Sequence, residues 1–265
     1  MTPETLLHHA DNGLPWTDRP SNRPGYTLDA AYADALAVRA LRVARGERPL
    51  GYKVGFTNRG IWTTYNVFAP IWGTVWDRSV VFCEGEGVLR LDHTCEPRIE
   101  PEAVFGFRAT PAPGATMADL FDALDWVAPG FEIVQSHLPG WKFAAPDTVA
   151  DGGLHARLLV GARCPVREVA PDATGLDARL AGAAVALARN GEVVDRGRGA
   201  NVLDGPLQAL WHFVQALRAC PGAPDLQPGD VVTTGTWTDA WPVAPGQTWH
   251  AAFEAPLAAL TLRLE

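Results

Sequence analysis

The order of apolar and polar positions predicts a chain with many strands and few helices. Over residues 28–45, Leu28, Tyr32 and Leu36 recur at helical spacing. Thr27 can cap that helix, Asp29 suits its first turn and Gly46 ends it. Residues 52–56 read as a short strand that carries Lys53 into the interior. Residues 57–77, rich in Trp and Tyr and interrupted by Pro70 and Gly73, read as an irregular covering segment. Residues 79–83 and 88–91 are strand-like around a Glu84-Gly-Glu-Gly87 turn.

Residues 116–127 are helical in period, with Met117, Leu120, Phe121, Leu124 and Trp126–Val127 apolar. Residues 131–136 form another strand, and a further one runs through 158–161. Asn190-Gly191 predicts a type I′ hairpin between 184–188 and 193–196. Pro206 opens a helix to about Arg218, and strands at 230–234, 248–253 and 257–264 close the chain. Strands dominate and helices are scattered, so the expected class is α+β on mixed sheets, with no internal repeat.

One stretch breaks the pattern: Glu96-Pro-Arg-Ile-Glu-Pro-Glu-Ala-Val-Phe-Gly-Phe107. As a strand it puts Ile99, Ala103 and Phe105 on one face and Glu100, Glu102 and Val104 on the other. Two carboxylates side by side on an apolar strand repel each other and resist burial. A divalent cation relieves both problems, because hard cations prefer carboxylate oxygens. A solvated polar face is the alternative. Glu132 is a third carboxylate in a strand, placed between Phe131 and Ile133.

Composition narrows the classes. The 265 residues are 47% hydrophobic with ten Trp and ten Phe, enough for a packed core. A net charge of −8 disfavours nucleic acid as a partner. No apolar run approaches a membrane span, and residues 1–16 lack the basic-then-apolar order of a signal peptide. Cys83, Cys95, Cys164 and Cys220 are scattered, which fits a reducing compartment, so a cytoplasmic protein is expected.

Of the 22 basic Lys and Arg residues only Lys53 and Lys142 are lysine, a compact charge whose pKa can be tuned. The chain has no G-x-S-x-G, H-E-x-x-H, Walker or G-x-G-x-x-G motif. Ser136 and His137 are neighbours that a strand sends to opposite faces. His8 and His9 lie in a polar N-terminal segment.

In order along the chain stand Ala31-Tyr32, Gly51-Tyr-Lys-Val-Gly-Phe-Thr57, Pro97-Arg-Ile-Glu-Pro-Glu102 and Phe131-Glu-Ile-Val-Gln-Ser136. Asp147-Thr-Val-Ala-Asp151, Gly205-Pro206, Gly229-Asp230 and Thr233-Thr-Gly-Thr236 follow. The ordered set resembles the fumarylacetoacetate hydrolase superfamily, within it the 2-oxo-4-pentenoate hydratase and 4-oxalocrotonate decarboxylase branch. The resemblance implies a mixed β-sheet roll or sandwich over 78–265, with a smaller N-terminal α/β portion and covering segment over 1–77. It implies that Glu100, Glu102 and Glu132 hold Mg²⁺ or Mn²⁺, and that a 2-oxo acid chelates the metal. Lys53 would carry the proton or stabilise charge, its pKa lowered by the metal. Asp151 would partner that lysine or a water, Thr236 on its Thr-Gly-Thr turn would bind the substrate carboxylate, and Gly235 and Phe56 would line the same site.

Hydratases of this branch usually continue the aspartate with Asn-Ala, whereas Gly152-Gly-Leu-His155 follows here. His155 is thus a candidate substitute base. The leading expectation is hydration of a 2-hydroxy-2,4-dienoate to a 4-hydroxy-2-oxo acid in aromatic catabolism, by a homo-oligomer. Decarboxylation of a 2-oxo diacid, acylpyruvate hydrolysis, or an inactive acid-binding scaffold stand beside it. Hydrolysing relatives resemble one another in a His–Glu pair after the first strand, and residues 57–77 contain neither.

Overall fold

The computed structural model of the protein describes residues 1–265, apart from the side chain of Thr64. Two helices open it, α1 (Pro3–Asn12) and α2 (Leu28–Ala44). Each starts at a threonine whose hydroxyl accepts a first-turn N–H: Thr2 from Thr5 and Thr27 from Ala30, both at 3.3 Å. The N-terminal segment around His8 and His9 is therefore helical. Strand β1 (Pro49–Gly55), a single turn α3 (Trp62–Tyr65) and β2 (Ile71–Trp76) follow.

Next come β3 (Val80–Phe82), β4 (Glu86–Leu89), β5 (Arg98–Phe107), α4 (Met117–Ala123) and β6 (Leu124–Val134). Then come α5 (Ala145–Ala150), β7 (His155–Val160), β8 (Cys164–Pro165), α6 (Val166–Val169) and α7 (Ala173–Gly182). The chain continues through β9 (Ala184–Arg189), β10 (Glu192–Arg198), α8 (Pro206–Ala219), β11 (Val231–Thr233), β12 (Trp241–Pro242), β13 (Thr248–Phe253) and β14 (Leu260–Leu264).

These strands build two mixed sheets, the α+β class expected. The larger has nine strands along the path β2-β1-β11-β5-β6-β7-β3, with β12 on β5 and β8 on β6. The smaller runs β10-β9-β13-β14-β4. Asn190 and Gly191 both take positive φ (51° and 88°), as a type I′ turn requires, and join β9 to β10.

Three local expectations are corrected. Residues 57–77 are not irregular throughout, since β2 pairs antiparallel with β1 and sets Gly73 opposite Lys53. Ile71, Trp72, Val75 and Trp76 are all buried, so β2 shows no alternation to read. The helix over 116–127 stops at Ala123, and Leu124 onward is strand. Its apolar spacing fits both states, but pairing of Trp126 with Gly106 on β5 decides for strand. Gly106 leaves room for the Trp126 ring: a methyl group there would sit 2.1 Å from it. Lastly, β3 and β4 do not pair around the Glu84–Gly87 stretch; β3 pairs with β7 and β4 with β14 in the other sheet.

The main core includes residues of β5 and α8. Ile99, Ala103, Phe105 and Phe107 from the strand and Leu207, Leu210, Phe213 and Leu217 from the helix, all at most 3% exposed, belong to one apolar cluster. Each large side chain so buried contributes about 1.5–3 kcal/mol. The opposite face of β5 carries the glutamates, as the alternation predicts.

Candidate metal centre and active site

Sheet register brings the three carboxylates together. Glu100 on β5 stands directly opposite Glu132 on β6, and Glu102, two residues along the same face, stands opposite Gly130. One carboxylate oxygen from each lies within 4.8 Å of the others. Glu102 and Glu132 are fully buried, and Glu100 is partly covered. Lys53 on β1 is 3% exposed and reaches in so that Nζ is 3.1 Å from Glu132 Oε2. Lys142, the other lysine, is exposed.

The electrostatics follow from this crowding. Burial, helped by Glu132, pushes the Glu100 carboxyl up to about 7 against the pull of Lys53. Glu102 is raised well above the usual carboxylate range by burial and by the two neighbouring carboxylates. Glu132 goes the other way: burial would raise it, but Lys53 and the His155 hydrogen bond outweigh burial and hold it low. Burial also works against charge on Lys53, yet Glu132, Glu100 and Glu102 together raise its pKa and keep it protonated.

The donor set fits a hard divalent cation. Glu102 Oε1 and Glu132 Oε2 are buried without a hydrogen-bond partner; the 3.1 Å approach of Lys53 to the latter is an ion pair outside hydrogen-bonding angles. Buried acceptors left so are costly. Three carboxylates against one ammonium leave two formal negative charges, which one divalent ion balances.

The remaining sequence candidates divide. Gly235 is at the site, but its N–H donates to Glu102 Oε2 at 2.6 Å and so orients a carboxylate. Its positive φ of 98° and a would-be Cβ 1.9 Å from Thr57 Oγ1 leave room for glycine alone. The Thr236 hydroxyl closes its own turn, donating to Thr238 O at 3.0 Å and accepting from Thr238 N at 3.2 Å. Phe56 has positive φ (54°), stacks on Tyr65 at 5.1 Å, and its carbonyl accepts from the Trp62 indole at 2.7 Å.

Asp151 does not pair with Lys53. Its Oδ1 is 2.5 Å from His137 Nδ1 and its Oδ2 accepts the His137 backbone N–H at 3.0 Å. This corrects the lysine-partner expectation. A helix of six residues, α5, ends at Asp151 and turns its carboxylate toward the strand exit at His137. His137 is 1% exposed and stacks on Trp16 at 5.7 Å. Burial would lower its pKa, but the Asp151 carboxylate wins and raises it.

His155 heads β7 and has both ring nitrogens engaged, Nδ1 with Glu132 Oε1 and Nε2 with Ser79 Oγ, each at 2.8 Å. Burial lowers its pKa despite the Glu132 bond, so the neutral ring carries its proton on Nδ1, facing the carboxylate. Both nitrogens of this base candidate are thus engaged by protein groups, Nδ1 by Glu132 and Nε2 by Ser79. Sequence reading missed Ser79, His137 and Trp16 here, since no motif marks them. A cavity of about 870 Å³ is lined by Ser79, His137, Asp151, His155 and the α2 arginines Arg39 and Arg42, but by none of Glu100, Glu102 or Lys53. On its wall His155 bonds Glu132, which links the cavity to the carboxylates.

No family model matches the chain. The 2-hydroxyhexa-2,4-dienoate hydratase of Comamonas testosteroni is 33% identical over 94% of this chain and 89% of its own length. The 4-oxalocrotonate decarboxylase from Pseudomonas putida G7, complexed with magnesium and adipate, superposes with a TM-score of 0.86 at 27% identity over 100% of this chain and 99% of that one. The fumarylpyruvate hydrolase from Pseudomonas aeruginosa, in complex with Mn²⁺ and pyruvate, shares the fold at a TM-score of 0.54 and 17% identity, covering 82% of this chain and 89% of its own. With its ordered motifs, mixed sheets and likeness over nearly its whole length to a dienoate hydratase, the chain belongs to the hydratase and decarboxylase branch of the fumarylacetoacetate hydrolase superfamily.

Proposed function

We propose that the protein is a divalent-metal-dependent hydro-lyase that adds water to a 2-hydroxy-2,4-dienoate and forms a 4-hydroxy-2-oxo acid in aromatic catabolism. The observation that carries this reading is the convergence of Glu100, Glu102 and Glu132 with one buried lysine, Lys53. Hydratase relatives at about one-third identity over most of the chain support the reaction class.

Glu100, Glu102 and Glu132 would hold Mg²⁺ or Mn²⁺, which supplies Lewis acidity toward a 2-oxo acid substrate. Gly235 N–H fixes the Glu102 carboxylate and His155 fixes that of Glu132. Lys53 Nζ, charged and almost fully buried, carries the proton. The covering residues of 1–77, with Phe56 among them, exclude water around it, while 78–265 supplies the carboxylates. Thr236, whose proton its own turn holds, shapes that turn.

Decarboxylation of a 2-oxo diacid on the same residues is favoured by one observation, the full-length superposition on a decarboxylase. Acylpyruvate hydrolysis lacks support, because 57–77 holds no His–Glu pair. We also infer a cytoplasmic homo-oligomer. All four cysteines are unpaired, no described helix is long and apolar enough to cross a membrane, and Val81, Phe82 and Val88 are exposed on β3 and β4.

The test is the mass of the product from a panel of 2-hydroxydienoates, 2-oxo diacids and acylpyruvates, with Mg²⁺ present and then chelated. Gain of one water on a dienoate, lost on chelation, is the expected result. Loss of carbon dioxide, or cleavage to pyruvate, renames the reaction. Turnover unaffected by chelation overturns the metal reading.

A further inference from the structure

Glu132 lies mid-strand and fully buried, where a carboxylate must have each oxygen accounted for. Oε2 faces Lys53 and the other glutamates. Oε1 has one hydrogen-bond partner, the Nδ1–H of His155 at 2.8 Å. His155 is held in turn at Nε2 by Ser79 Oγ, also at 2.8 Å. Ser79 Oγ itself accepts from Trp76 N–H at 3.2 Å and lies 2.9 Å from the Trp76 carbonyl. With its single proton turned to the Nε2 lone pair, the serine keeps one backbone tie, the Trp76 N–H, and anchors the ring through it. The order Ser–His–carboxylate therefore ends on a glutamate that is held still, not on a nucleophile that is set free.

The approach that delivers His155 is built on glycine. Gly152, Gly153 and Leu154 all take positive φ, 64°, 71° and 68°. At Gly153 a Cβ would come within 2.9 Å of Lys53 Cδ, and at Gly73 one would lie 1.9 Å from Gly152 O. The glycines thus let the loop cross directly over β2 and beside Lys53. Leu154 accepts a strained conformation there, held by Gln135 N–H on its carbonyl at 2.8 Å. Backbone strain this close to a buried polar site marks a constrained position.

We propose that His155 is a positioning residue for Glu132: anchored by Ser79, it fixes the carboxylate so that Oε2 stays presented to the cation and to Lys53. The inference rests on the metal reading given above. Outer partners of this kind orient a ligand, and their loss typically costs about 10–100-fold in metal affinity.

The test is Mn²⁺ binding to the metal-free protein, followed by the electron paramagnetic resonance signal of free Mn²⁺, with no turnover involved. His155→Ala should weaken Mn²⁺ binding by about 10–100-fold. His155→Asn, whose amide can donate from near the Nδ1 position, should recover much of the loss. Ser79→Ala should show a smaller loss, because the ring keeps its bond to Glu132 but loses its anchor. Should His155→Ala fail to fold, the Asn and Ser79 variants carry the same comparison. Unchanged Mn²⁺ affinity in His155→Ala overturns the inference, as does unchanged affinity in Ser79→Ala where His155→Ala does not fold. Failure of the wild-type protein to bind Mn²⁺ overturns the metal reading instead, and Glu102→Gln, which should bind least, separates the two.

Discussion

Glu100 and Glu132 stand directly opposite each other across β5 and β6, so two carboxylates thirty-two residues apart in sequence share one spot. Such a pair resists charging without a counter-ion, which is why Glu100 is pushed up to about 7 by burial and by Glu132. Glu100→Gln should therefore abolish metal-dependent turnover while preserving the fold. Its metal-free melting temperature should not fall below that of the wild type, because one of the crowded charges is gone. The stabilisation that Mg²⁺ gives the wild type should vanish. Thermal scans with and without Mg²⁺ check this; retained metal-dependent activity would contradict it.

Metal affinity should rise with pH through neutrality. Glu100 and Glu102 bind protons above the ordinary value of 4.5 in the metal-free protein, and a cation must displace those protons. The metal-free form holds more protons, so acid favours it, and affinity falls by up to about tenfold per pH unit for each proton released. In the metal-free protein the same raised carboxyls bind protons more tightly folded than unfolded. Stability without metal should thus decline as pH rises from 4.5 toward about 7. Calorimetric titrations from about pH 6 to about pH 8, in buffers of different ionisation enthalpy, measure the protons released. A pH-independent affinity would refute the sign.

Lys53→Met should lower kcat by about 10²–10⁴-fold, the range of a lost proton carrier. Lys53→Arg should not restore it, since a guanidinium does not give up its proton. Metal affinity of Lys53→Met should hold or tighten, because a competing cation has left the carboxylates. Parallel kinetics and Mn²⁺ binding decide it. A loss of metal binding equal to the loss of activity would make Lys53 part of the metal-holding apparatus.

Asp151→Asn should destabilise the protein by about 1–3 kcal/mol, because it breaks a buried pair with His137. The pH dependence carries a definite sign. His137 has a raised pKa when folded, so the stabilisation is complete below its ordinary value of 6.5 and is lost as pH rises through the folded value. The stability gap between wild type and Asp151→Asn should be widest in mild acid and shrink in alkali. Denaturant midpoints across that range measure it, and a gap that widens with pH would refute the pairing account.

Local pattern carried much of this protein. Alternation in 96–107 placed Glu100 and Glu102 on the face opposite Ile99, Ala103 and Phe105, and Asn190-Gly191 and Pro206 marked a hairpin and a helix that both form. Those signals are short-range: side-chain period, φ preference and the missing N–H of proline act within a few residues. The three carboxylates and Lys53 were legible by type for the same reason, as charges out of place in apolar strands. What the sequence left open was decided by pairing over long distances. Register β5–β6 put Glu132 against Glu100, β1–β2 turned a supposed cover into a strand, and β6 took over the end of a helical pattern. Asp151 found His137 and His155 found Glu132 because loop crossings set them there, glycine on glycine, and no local periodicity encodes a meeting of that kind.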